Sequence, residues 1–132
     1  MTNSLAKLIF IFSLLLTSCA AQKGKKTTVE IINNLPDGTT LTAHCKSGDN
    51  DLGVQNITTI WRFSFVPSFL RNTLFFCSFA WPGQSKYFDI YVQTRDEDKC
   101  SFCAWRISPN GPCRFNGNTG SFDICYPWNP ST

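Results

Sequence analysis

Apolar and polar side chains alternate along most of this chain in short runs broken by turn-forming residues. Thr27–Asn33 is rich in β-branched residues, and the Asn33–Gly38 stretch after it, NNLPDG, is a dense turn signal. Thr39–Cys45 predicts a second strand, ended by the polar Lys46–Asp51. Thr59–Val66 predicts a third, with Trp61, Phe63 and Phe65 on one face, Arg62 and Ser64 on the other, and Pro67 closing it. Asn72–Trp81 is the most apolar strand. Period two puts Phe75, Cys77, Phe79 and Trp81 on one side. The other side, Leu74, Phe76, Ser78 and Ala80, is also fairly apolar, which predicts a central strand covered on both faces.

After the Pro82–Ser85 turn, Lys86–Thr94 should turn Phe88, Ile90 and Val92 inward, and Arg95–Lys99 reads as a charged loop. Phe102–Ser108 predicts the next strand, followed by the Pro109–Pro112 turn. A hairpin closes the pattern: Cys113–Asn116, a Gly117–Ser121 loop, and Phe122–Trp128 with Phe122, Ile124, Tyr126 and Trp128 on one face. About eight short strands, with no amphipathic helix and no internal repeat, predict an all-β fold, an antiparallel β-sandwich in a single domain.

The N-terminus follows a different pattern. Lys7, the apolar run Leu8–Leu16 and the small residues Ser18-Cys19-Ala20 predict a secretory signal peptide over residues 1–20. The apolar run is too short to span a bilayer, which needs about 20 residues. The domain is therefore expected over 21–132, with its core at about 27–128, in a secreted, extracellular protein. Leu16-Thr17-Ser18-Cys19 also matches a bacterial lipoprotein processing site, in which Cys19 would be lipidated. The whole chain carries a formal net charge of +3. Its charges are scattered, without the basic face expected of a nucleic-acid binder.

Removing Cys19 with the leader leaves Cys45, Cys77, Cys100, Cys103, Cys113 and Cys125. An even count behind a signal peptide implies a disulfide framework, for which six cysteines allow fifteen pairings. Centring the last hairpin on Thr119 sets Cys113 opposite Cys125, at the ~4.5–5.5 Å separation of paired residues, so these two are expected to bond. Three pairings of the other four cysteines stay open.

Each candidate for chemistry has a plainer explanation. His44, the single histidine, adjoins Cys45, but alternation points the two side chains to opposite faces, beyond the ~2.6–3.2 Å that a nucleophile and its base require. His44 is expected to hydrogen-bond a nearby turn. Cys100-Ser-Phe-Cys103 has the spacing of a thiol oxidoreductase, yet it follows acidic Asp96, Glu97 and Asp98, which raise a thiol pKa, and does not open a helix. Structural disulfide cysteines are expected instead, and a zinc site is disfavoured in an oxidising compartment. Asp49-Asn50-Asp51 begins like a calcium loop, but Gly53 and Val54 stand where a ligand and a glycine are needed, so an Asx-stabilised turn is expected. Asn56-Ile57-Thr58 is an N-glycosylation acceptor in a predicted loop. With no carboxylate pair, no Ser/His/Asp set and no phosphate-binding glycine loop, neither an enzyme nor a cofactor is expected.

Four tracts together resemble a known family: VEIINNLPDGTTLTAHCKSGDNDLG (29–53), FFCSFAW (75–81), FDIYVQTRDEDKCSFCAW (88–105) and GPCRFNGNTGSFDICYPW (111–128). They are similar to the plant self-incompatibility S-protein family, or S-protein homologues. The resemblance implies small secreted β-sandwich proteins stabilised by disulfides, without known catalytic activity, and argues against the lipoprotein reading. Founding members of that family are pistil-secreted ligands that meet a pollen membrane protein and trigger rejection of self pollen. The family's usual cysteines match Cys45, Cys77, Cys100 and Cys103, implying two bridges among them. Cys113 and Cys125 depart from that pattern as an added hairpin staple. The family often has a glycine-containing turn before the third strand, where this chain has Asn56–Thr59.

The function implied is an extracellular signalling or recognition ligand, monomeric, for a cell-surface membrane protein, with neither nucleic acid nor a small-molecule substrate as partner. The alternative is a secreted defence or toxin-like protein acting on membranes or foreign cells. Loops on a rigid scaffold usually carry recognition. Contacts are therefore expected at Lys46, Asp49 and Asp51; at Gln84 and Lys86; and at Arg95, Asp96, Glu97, Asp98 and Lys99.

Overall fold

The computed structural model describes residues 24–131; the expected leader, with Cys19, lies outside the described residues. In chain order the elements are β1 (Thr27–Asn33), β2 (Leu41–Lys46), β3 (Asp51–Ile57), β4 (Ile60–Phe65), β5 (Leu74–Trp81) and β6 (Gln84–Val92). A single helical turn, α1 (Gln93–Asp96), precedes β7 (Phe102–Ser108), β8 (Gly111–Asn116) and β9 (Ser121–Cys125). They form two sheets, β4-β1-β7-β8-β9 and β3-β2-β5-β6. The chain leaves the first sheet twice, for β2-β3 and again for β5-β6, before returning to the free flank of β1. β7 therefore runs parallel to β1, pairing Phe102 with Thr28 and Ile107 with Asn33. The first sheet is thus mixed rather than wholly antiparallel as the sequence suggests.

The inward positions of both sheets make one core. Val29 and Ile31, Cys103, Trp105 and Ile107 come from the first sheet and meet Leu41, Ala43, Phe75, Phe79 and Ile90 from the second. The aromatic face of β4 contributes as its alternation predicts. Phe63 stands 5.0 Å from Phe75 across the sheets, and Phe65 4.8 Å from Tyr91, separations at which aromatic pairs add about 0.5–1.5 kcal/mol beyond their area. Asn33, at the end of β1, ties two connections to the core. Its amide donates to the carbonyls of Thr39 (2.7 Å) and Ile57 (3.0 Å), and its Oδ1 accepts from the Leu35 N–H.

Four local expectations are corrected. β5 is central in its sheet, but a two-layer sandwich covers only one face of each layer; Leu74 and Phe76, on the outer face, are 40% and 43% exposed. A bulge in β6 sets Phe75 opposite Tyr91 and Cys77 opposite Phe88, so Ile90 and Tyr91 are both buried and Val92 is only half-buried. β3 was unexpected: Asp51–Ile57 is an edge strand of mixed polar and apolar side chains, and Asn56 sits in it, exposed, rather than in a loop. Finally, residues 93–94 leave the sheet and join α1.

Candidate recognition surface

The groups that could carry covalent or metal chemistry are engaged in holding loops. Cys45 bonds Cys77, its directly paired neighbour across β2 and β5; Cys113 bonds Cys125 across β8 and β9; and Cys100 bonds Cys103. His44 points away from the buried Cys45, and its Nε2 meets Asp51 Oδ1 at 2.6 Å. The same oxygen accepts the Gly53 N–H at 2.9 Å. The backbone hydrogen bond from Gly53 first, then that from His44, hold the Asp51 carboxyl below its ordinary pKa. Asp51 thus closes a turn, and among the described residues no cluster of three or more His, Cys, Asp or Glu side chains is placed to hold a metal ion. No helix among the described residues is long and apolar enough to cross a membrane.

Two of the three expected recognition loops share one end of the sandwich. Lys46 pairs with Phe76 and Val92 with Leu74, so the Lys46–Asp51 turn and the Arg95–Lys99 segment both flank the start of β5. Pro82 and Gly83 turn the chain at the other end of β5, which removes Gln84 and Lys86 from this surface. Asp96 is also removed. It is 0% exposed, pairs with Arg95 at 2.8 Å and accepts the Val92 N–H at 2.9 Å. Arg95 in turn stacks over Phe88, Trp105 and Tyr126 at 5.0–5.2 Å, so this pair builds the core rather than a contact surface.

Between the two loops lies the connection from β4 to β5, residues 66–73, of which sequence reasoning left 68–71 unassigned. It presents Phe69, 88% exposed, and Leu70, 76% exposed. The tip is not slack. Buried Gln93 accepts the Thr73 N–H (3.0 Å) and donates to the Ser68 carbonyl (2.9 Å) and to Glu97 (3.0 Å). Thr73 Oγ1 accepts the Ser68 N–H at 2.7 Å, and Arg71 takes φ 60°, a left-handed conformation that costs a non-glycine residue about 1–2 kcal/mol. A cleft of about 710 Å³ separates this connection from the Ser47–Asn50 turn, with Leu70, Leu74 and Phe76 on its wall. The signal available in the sequence was the pair Phe69-Leu70 set between Pro67-Ser68 and the polar Arg71-Asn72, where no strand can bury it.

The family model described as plant self-incompatibility protein S1 matches residues 28–128. The chain belongs to this family. S-protein homolog 2 of Arabidopsis thaliana is 51% identical over 113 residues, covering 80% of this chain and 70% of its own length. S-protein homolog 20 of the same plant is 42% identical, with 96% of this chain and 90% of its own covered. In the S-protein homologues, therefore, similarity reaches across nearly the whole sequence. A solved structure of SPH (Self-Incompatibility Protein Homologue) proteins, described as a widespread family of small, highly stable, secreted proteins from plants, superposes with a TM-score of 0.59. It covers 81% of this chain and 97% of its own at 17% identity, a likeness of fold.

Proposed function

We propose that this S-protein homologue is a secreted ligand that binds a membrane protein on a plant cell surface through the end bearing Phe69 and Leu70. The observation that carries this reading is the pair of large apolar side chains held out in solvent by a hydrogen-bonded loop. A pre-organised apolar anchor contributes affinity without the cost of ordering it on binding. The loops at this end carry exposed charges of both signs, Asp49, Asp51, Glu97 and Asp98 with Lys25, Lys46 and Arg71. That mixed pattern suits a protein pocket with a complementary charged rim. A glycan at Asn56, near the Ile57 end of β3, would sit at the opposite end and leave the tip free.

Tagged protein applied to plant cells is expected to bind saturably, and protease treatment of the cells to abolish that binding. The double variant Phe69→Ser/Leu70→Ser should weaken it by about 30-fold or more, the scale of a binding hot spot. Lys86→Ala, at the other end, should leave it unchanged. Absence of saturable binding, or a double variant that binds as well as the parent, would overturn the reading. The same apolar pair could instead enter a bilayer, in keeping with a defence or toxin-like protein. Charges of both signs give an anionic leaflet little net attraction, which disfavours that role. Leakage of liposomes at concentrations that saturate cells would establish it instead.

A further inference from the structure

Arg114 lies in β8 between Trp105 of β7 and Ile124 of β9, and is 3% exposed. A guanidinium buried to that degree is ordinarily matched by a carboxylate, as Arg95 is by Asp96. Among the described residues Arg114 has no such partner. Its Nη1 donates to the Cys100 sulfur at 3.1 Å, its Nε has no acceptor, and its carbon stands 5.9 Å from the Trp105 ring. Sulfur and an indole face are polarisable, but neither carries negative charge.

Arg114 also lines an open cavity of about 360 Å³. Lys99, exposed and without an ion pair among the described residues, shares that wall with Arg95, and no acidic side chain does. The carboxylates nearby are committed elsewhere. Asp96 holds Arg95, Asp98 lines a different pocket with Lys25, and Asp123 accepts from Thr119 at 2.7 Å. With Arg95 neutralised by Asp96, two positive charges remain uncompensated. Phe115, Ile124 and Tyr126 supply apolar wall, and Asn116 and Asn118 lie alongside.

We infer that this cavity binds an organic carboxylate, with its anionic oxygens between Lys99 and Arg114 and its carbon body against Phe115, Ile124 and Tyr126. Its volume lies at the small end of the ~300–1,000 Å³ range of ligand pockets, so one acid-bearing unit fills it. The unit could be a free acid or one residue of a polyacid. The apolar wall is the reason to expect a carbon-bearing anion over bare sulfate or phosphate. The site lies beyond the Phe69–Leu70 tip and does not depend on its role.

The full disulfide-bonded chain, labelled with ¹⁵N, would be titrated at low salt with phenylacetate, a polyglutamate, sulfate and inorganic phosphate. The reporters are the Arg114 Nε–H signal and the Lys99 and Asn118 amides. Saturable shifts of all three with a carboxylate are expected, and Lys99→Gln should weaken binding by about tenfold with an unchanged melting temperature, as loss of a charge-assisted contact would. Binding of phenylacetate alone would mark a free acid as the ligand class, and tighter binding of polyglutamate a polyacid. Sulfate or phosphate binding as tightly as the carboxylates would overturn the assignment to an organic acid. Linear shifts with every anion, or a silent Arg114 Nε–H, would overturn the site.

Discussion

At Asp51 a single carboxylate does structural work that its neighbours make pH-dependent. It accepts from the Gly53 backbone and from His44, and these bonds set its pKa below the ordinary 3.8. A carboxyl whose folded pKa is depressed stabilises the fold above its unfolded value, and loses that contribution as pH falls through the lower folded one. Carboxyl-carbon NMR is therefore expected to place the Asp51 midpoint below 3.8, and Asp51→Asn to flatten the acid side of the stability profile below about pH 4. The residue scale is also where sequence reading went furthest. His44 was expected to serve a turn because strand alternation separates it from Cys45, and Cys113 was set opposite Cys125 by hairpin symmetry alone. Nothing in the local sequence, by contrast, distinguishes the buried Asp96 from exposed Glu97 and Asp98. That difference arises from Arg95 folding back onto three rings contributed by β6, β7 and the segment after β9.

Among the elements, the β4–β5 connection depends on a residue that is remote in sequence. Gln93 supplies hydrogen bonds to Ser68, Thr73 and Glu97 from a buried position. Gln93→Leu should cost about 1–2 kcal/mol, because it leaves the partly buried Ser68 carbonyl and Thr73 N–H unpaired, and should speed hydrogen exchange across Ser68–Thr73. Chemical denaturation and exchange mass spectrometry read the two effects separately. The three disulfides should differ in worth with the length of chain that each closes. The sequence separations of 32, 12 and 3 correspond in the chain-entropy model to about 3–4, 3 and 2 kcal/mol for Cys45–Cys77, Cys113–Cys125 and Cys100–Cys103. Paired serine replacements followed by denaturant titration test that order. An element with a clean apolar alternation, such as β4, was legible because half-burial leaves its period in the side chains. β3 was not: its position at the sheet edge asks only for backbone pairing with β2, which Asp, Gly, Gln and Asn can supply while reading as a loop. The β6 bulge escaped for a related reason, since one extra residue moves Tyr91 inward without changing composition.

The whole molecule is a sandwich whose two layers draw differently on the chain. The β3-β2-β5-β6 layer uses residues 41–57 and 74–92, whereas the other layer joins β1 and β4 to the last three strands. Which layer each strand joins was not legible, because alternation marks an inward face without naming the strand beside it. The parallel pairing of Thr28 with Phe102 is the longest-range commitment, and it follows only from the order of crossings. During N-to-C synthesis, β1 must wait for β7 with one flank of its hydrogen-bonding groups bare. A chain stopped just before Phe102 would keep that flank open in the middle of a layer, beside the apolar Val29 and Ile31. Such a fragment should recruit a second copy edge to edge, and size-exclusion chromatography should find it eluting as a larger assembly than the full chain does.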